Sequence, residues 1–322
     1  YNCTFNGNSS KWWGGGLANS SCKPTVIGCT FVNNSAVEAG GGVANYVADT
    51  ILTDCTFIRN SAGSGGGMRN ETSSPVLTDC TFVRNLAPNG GGTYNNGQCK
   101  PMLTNCKFVG NSAHAGGGLH NRWGSSPKLV NCIFSGNLAE YGGGMWNYYR
   151  YDDPESDYIR YNNPILINCT FSRNKADVIG GGILNDEGSH SVLDNCILWG
   201  NSDSGGTDES AQFDNSRTDL RSVLNNCCIQ GWADKLGGIG NFGKDPLFID
   251  PNGLDNKMGT EDDNLRLKTG SACIDAGDNS ALPADICDLD NDGNTTELTP
   301  FDIEGNPRIG SGSVDIGAYE SE

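Results

Sequence analysis

The residues best placed to do chemistry lie near the C-terminus, in Asp288-Leu289-Asp290-Asn291-Asp292-Gly293. Carboxylates at alternate positions of a tight turn converge, and a glycine lets the chain close around a hard cation. The string therefore predicts a calcium loop with Asp288, Asp290 and Asp292 as ligands. Thr299 stands at the twelfth position, where a helix-flanked loop carries Glu, and Pro283 and Pro300 oppose helices on either side. The expectation is a short loop of the extracellular kind, not a helix-loop-helix unit. A second acidic stretch, from Asp250 through Asp255 to Glu261, Asp262 and Asp263, is a further calcium candidate.

Catalytic patterns are sparse. Inverting hydrolysis of a polysaccharide needs two carboxylates facing each other across the sugar, and lyase chemistry needs basic groups for uronate carboxylates. Arg266-Leu267-Lys268 is the one basic pair of that type, and it falls in a Leu-Arg-Leu string that reads as a strand. His114, His120 and His190 show no acidic or nucleophilic partner at a fixed spacing, and Arg59 and Arg84 share a repeat position that Gly110 and Gly136 then occupy. The sequence thus reads as non-catalytic, with a polysaccharide lyase or glycoside hydrolase as the alternative.

Two other groups of residues could bind or cross-link. Residues 148–163 form an insertion rich in Tyr; with Trp146, the side chains of Tyr148, Tyr149, Tyr151, Tyr158 and Tyr161 are candidate contacts for a sugar or a protein. Of 14 cysteines, Cys273 and Cys287 stand outside any repeat and are a candidate disulfide. Cys22 and Cys99 share a register but lie three repeats apart, too far to bond each other.

Positioning these groups falls to a repeat. The phrase Cys-Thr-Phe returns at Cys3, Cys29, Cys55 and Cys80, varies at Cys106 and Cys132, returns at Cys169, and degenerates at Cys196 and Cys227. The spacings are 26, 26, 25, 26, 26, 37, 27 and 31 residues. Three residues before each Cys lies an aliphatic (Val26, Leu52, Leu77 and their equivalents), and five after it lies Asn (Asn8 through Asn201). Three glycines follow, as in Gly116-Gly117-Gly118, and then another Asn. Cys and Phe at i and i+2 share one face of a strand. A repeat of this length holds about three short strands and their turns, and stacked repeats bury what one coil cannot.

The prediction is an all-β, right-handed parallel β-helix of about nine coils over residues 1–239, with an acidic, irregular cap over residues 240–322 packing on the last coils. Nine of the 14 cysteines then face inward, where Cys acts as a small buried hydrophobe. Asn columns suit left-handed turns and coil-to-coil amide hydrogen bonds, and glycine triplets suit a corner without room for Cβ.

The F-x-x-N spacing (Phe82 to Asn85, Phe108 to Asn111) followed by a glycine triplet resembles the polymorphic outer membrane protein repeats of bacterial surface β-helix proteins. This chain reads Gly-Gly-Gly where that family has Gly-Gly-Ala. Asp245-Pro246-Leu247-Phe248, Ser271-Ala272-Cys273-Ile274-Asp275-Ala276-Gly277 and Val314-Asp315-Ile316-Gly317-Ala318-Tyr319 resemble the choice-of-anchor-type C-terminal domain of secreted right-handed β-helix proteins. The resemblance implies an extracellular or cell-surface location and no particular activity.

Charge narrows the partners. The chain carries 21 Lys plus Arg against 38 Asp plus Glu, a net charge of -17, which opposes nucleic acid. No apolar run is long enough to span a membrane. Residues 1–150 hold 10 basic and 6 acidic residues, residues 151–322 hold 11 and 32. With Tyr1-Asn2-Cys3-Thr4-Phe5 opening directly on a core strand, the expectation is head-to-tail self-association, acidic end to open coil, as in a fibril. The overall expectation is an extracellular structural or adhesive protein, with polysaccharide binding or degradation as the alternative. Sequons at Asn2, Asn8, Asn19, Asn33, Asn70, Asn168 and Asn294 are candidate glycosylation sites.

Overall fold

The computed structural model describes residues 1–149, 161–310 and 312–321. Successive coils build four parallel sheets, a complete coil giving one short strand to each. The first sheet stacks nine strands from Thr4–Asn6 to Cys228–Ile229, and the second stacks seven from Ser9–Ser10 to Lys175–Ile179. The third stacks eight from Leu17–Ser20 to Phe213–Asp214, and the fourth eight from Thr25–Ile27 to Val223–Asn225. Register is one repeat per coil throughout: Phe5 pairs with Phe31, Phe57 with Phe82, and Phe134 with Phe171.

That register converts the sequence columns into continuous interior stacks. Seven Phe rings from Phe5 to Phe171 lie face to face with centroids 4.4–4.9 Å apart and planes within 8°. The inward cysteines and aliphatics flank them in one apolar cluster. Between the first and second sheets runs an Asn ladder in which each side chain bridges three coils. Asn111 Nδ2 donates to Asn137 Oδ1 (3.0 Å) and to the Phe82 carbonyl (2.9 Å), while its Oδ1 accepts from the backbone N–H and the amide of Asn85, both at 3.0 Å. Gln212 ends this ladder by accepting from the Asn201 amide at 2.9 Å. A second ladder, Asn19 to Asn185, runs inside the third sheet with steps of 2.8–2.9 Å.

The turns explain the remaining sequence signals. Residues just before the column cysteines, among them Asn2, Asp54, Asn105 and Asn168, have φ of 50–54°, the left-handed region that Asn and Asp tolerate best. The three glycines of a triplet serve different needs. Gly116 has φ +64°; a Cβ on Gly117 would lie 2.5 Å from the Gly143 carbonyl of the next coil; one on Gly118 would lie 2.7 Å from the Phe134 ring.

The C-terminal segment pairs with the last coil at Phe242, packs on Ile197 and Cys228, and also doubles back along the flank of the rod as a strap. Glu261 reaches Arg84 at 3.2 Å, Cys287 meets Thr104, and Asn131 donates to the Phe301 carbonyl at 2.9 Å. Gly259 crosses where Gly110 and Gly136 replace the Arg found at that turn in the coils on either side; a Cβ on Gly136 would lie 2.1 Å from Gly259 Cα. Arg84 and Arg173 bracket this crossing, the latter hydrogen-bonding Asn252. The acidic segment therefore lies beside the mildly basic coils of its own chain, so the charge asymmetry read from the sequence is not an asymmetry between the two ends.

Candidate functional site

The strap carries the acidic loop. Left-handed turns at Asp288, Asn291 and Gly293 wind the chain tightly. Backbone N–H groups of Leu289, Gly293 and Asn294 donate to Asp285, Asp288 and Asp292 at 2.7–3.0 Å. Asp288, Asp290 and Asp292 can place one oxygen each within 4.8 Å of one another, and so can Asp285, Asp290 and Glu297. Asp285 and Glu297 were not singled out from sequence. They are brought in by the backbone bridge from Asp285 N–H to the Glu297 carbonyl (2.8 Å), which closes the base of the loop. Asp285 is buried, and one Glu297 carboxylate oxygen is enclosed without a hydrogen-bond donor. Burial, and after it the charges of Asp290 and Asp288, pushes the Asp285 carboxyl up; burial and then Asp292, Asp290 and Asp285 do the same to Glu297. Crowded carboxylates with an unpaired oxygen form a donor set of hard oxygens, compatible with calcium.

The second acidic stretch does not converge in this way. Asp262 accepts from Thr260 Oγ1 (2.6 Å) and the Asp255 N–H (3.0 Å), and Asp263 accepts from Gly259 N–H (2.8 Å) and Ser135 Oγ (3.0 Å). Its carboxylates shape the strap and fasten it to the rod.

Trp146 is not a free stacking platform. Its ring lies between His120 (4.6 Å) and Tyr148 (4.9 Å), with Tyr141 at 5.9 Å, so neighbouring rings occupy the positions a sugar would take. His120, Trp146 and Tyr94 occupy one outward column of the third sheet, where Arg69 stacks on Tyr94 at 5.2 Å. The sharp glycine corner turns this column into a crease, and His120 and Tyr94 are buried in it. Tyr148 and Tyr149 are half-buried, and Tyr161 meets His190 edge-on at 6.1 Å. Tyr151 and Tyr158 lie outside the described residues.

The Cys273–Cys287 pairing is not formed. Cys287 faces Thr104 Oγ1 at 3.6 Å, whereas Cys273 is sealed in a different apolar cluster with Cys228. The two cysteines, 14 positions apart, lie in separate parts of the strap. Three sequons are also ruled out in the folded chain: Asn19 and Asn70 are rungs of the inner ladder, and Asn168 is fully buried against the strap. Asn2, Asn8, Asn33 and Asn294 are exposed. Arg266 has a structural partner, Glu304, in a two-point ion pair of 2.6 and 2.7 Å.

His114 does have an acidic partner: its Nδ1 lies 3.0 Å from Glu140 in the next coil. Their spacing of 26 positions is one repeat, so the pair is visible in sequence only when coils are stacked. It sits on an open trough of about 750 Å³ across the second sheet, with Lys175 and Asp177 (3.1 Å apart) further along and Leu86 and Leu138 on its walls.

Residues 1–146 match the family described as a right handed beta helix region, and residues 168–186 match the Chlamydia polymorphic membrane protein (Chlamydia_PMP) repeat. With the four parallel sheets, these matches make the chain a right-handed β-helix repeat protein. No curated protein matches it in sequence. Among solved structures the chain is similar to a crystal structure of pectate lyase Pel9A, at 11% identity and a TM-score of 0.31, covering 92% of this chain and 89% of that one. A likeness at that TM-score carries no argument about activity. Among the described residues no helix is long and apolar enough to cross a membrane.

Proposed function

We propose that this protein is a non-catalytic extracellular β-helix scaffold of the structural or adhesive kind, whose lateral strap binds calcium. The observation that carries the proposal is the unbroken interior: Phe stack, Cys column and two Asn ladders run coil to coil, ending on Gln212 in one case. Such continuity stiffens a rod and fixes its outward side chains at about 4.8 Å intervals. The repeat resemblance supports surface display. The enclosed, donor-less oxygen of Glu297 supports calcium, which would neutralise the crowded carboxylates of the strap. Self-association belongs to the same reading, and electron microscopy of native material with and without chelator tests it.

The decisive experiment incubates the purified chain with a panel of acidic and neutral polysaccharides and with host-type glycoprotein surfaces. Retention on a surface without release of reducing ends or unsaturated products supports the scaffold. Product release that H114A or E140Q abolishes would replace it with a polysaccharide-degrading reading. The trough favours that second reading, since the His114–Glu140 and Lys175–Asp177 pairs line one open groove across the second sheet.

A further inference from the structure

The inward cysteines are explained by the repeat; three other buried cysteines, Cys99, Cys228 and Cys273, are not, and the last two share one site. Cys228 is the outward residue of strand Cys228–Ile229, below Ile197 in the same column. Cys273 arrives from the strap. Neither thiol retains any exposure, and both belong to one apolar cluster with Ile197, Leu265 and Ile316. Both are free thiols in this structure, and the Cys273 side chain, ahead of burial, pushes the Cys228 thiol up. Each is also held in place by its surroundings. Cys228 Sγ donates to the Lys244 carbonyl at 3.1 Å, while the Cys273 N–H donates to Ser271 Oγ (3.1 Å) and its carbonyl accepts from Ile316 N–H (2.9 Å).

We propose that Cys228 and Cys273 are a disulfide site that fastens the strap to the rod. Among the described residues the other long-range ties of the strap are hydrogen bonds, ion pairs and apolar contacts, whereas this pair lies in the core shared by the last first-sheet strand and the strap. The oxidant is a low-molecular-weight disulfide. One protein thiol, deprotonated, attacks it and expels one small thiolate, giving a mixed disulfide. The second protein thiolate then attacks the protein sulfur of that bond and expels the other small thiolate. Two protein S–H bonds are lost, one S–S bond forms, and the oxidant leaves as two thiols. The thiol–thiol contact, and then burial, hold the packed Cys228 thiol in its protonated form, so exchange precedes the final seating of the strap.

The test uses the full-length chain refolded in a buffer of oxidised and reduced glutathione, alkylated in denaturant, and cleaved with trypsin and an Asp-specific protease that separates Cys273 from Cys287. The expected result is a cross-linked pair of peptides containing residues 228 and 273, retained in C227A and absent from C228A and C273A. Full alkylation of Cys273, or its cross-link to Cys287 or Cys227, overturns the proposal. On the wild-type chain itself, reduction is expected to speed proteolysis of the strap at exposed Lys257 by about tenfold or more. Equal rates before and after reduction would equally overturn it.

Discussion

Replacing Asn111 with Ala removes the most connected rung of the ladder, and the cost follows from the bonds. Four hydrogen bonds disappear: two that Asn111 Oδ1 accepts from Asn85, and two that its amide donates to Phe82 and Asn137. The Asn85 side chain keeps its bond to the Phe57 carbonyl, but the Asn85 backbone N–H loses its acceptor at a site with no access to water. Three bonds at about 1 kcal/mol each, plus about 1–3 kcal/mol for the orphaned N–H, give a loss of about 4–6 kcal/mol. Asn8 is the internal control. It is exposed, its amide reaches only Asn34 Oδ1 (2.9 Å), and N8A is expected to cost under about 1 kcal/mol. Because stacked repeats open locally, native-state amide exchange around residues 85 and 112 reads the loss more directly than a single melting curve, with guanidinium midpoints alongside. An N111A penalty no larger than that of N8A would refute the claim that the ladder is a stabilising element.

Phe108 is buried between Phe82 (4.8 Å) and Phe134 (4.6 Å), so F108A should cost about 3–5 kcal/mol in chemical denaturation; a loss under about 1 kcal/mol would mean the stack collapses to fill the gap. Ala at Gly136 must adopt φ near +58° and drive its Cβ into Gly259, so G136A should free the strap and expose Lys257 to trypsin, whereas R84A, which removes an exposed ion pair, should leave cleavage nearly unchanged. The carboxyls of Asp285 and Glu297 are raised in the folded chain, which therefore holds more protons than the unfolded chain in the window above their ordinary pKa. Their contribution to the stability of the calcium-free protein should be fully present below about pH 4 and be lost as pH rises through the raised values. Calcium should reverse that loss and release protons on binding, and calorimetry in two buffers showing neither calcium heat nor proton release would remove the metal from the account. Expressed in a secreting eukaryotic host, the chain should carry glycans at Asn33 or Asn294 but not at Asn19, Asn70 or Asn168, and peptide mapping that finds Asn168 occupied in folded protein would contradict its burial.

By itself the sequence determined the coil. Cys, Phe, Asn and the glycine triplet recur at one repeat length, and in a parallel β-helix residues one repeat apart are direct neighbours, so a linear period translates at once into stacked columns. The left-handed turns and the two ladders were legible for the same reason, as was the acidic loop, whose carboxylates Asp288, Asp290 and Asp292 lie within five residues of one another. Tertiary structure alone decided what joins residues with no period between them. The strap's course down the flank depends on two coils having Gly where their neighbours have Arg, a detail that matters only once Gly259 lies across it. Cys273 meets Cys228 instead of Cys287, and Asp285 and Glu297 join the acidic loop through a backbone bridge. In each case a close approach in space is set by how the strap packs, and no spacing along the chain encodes it.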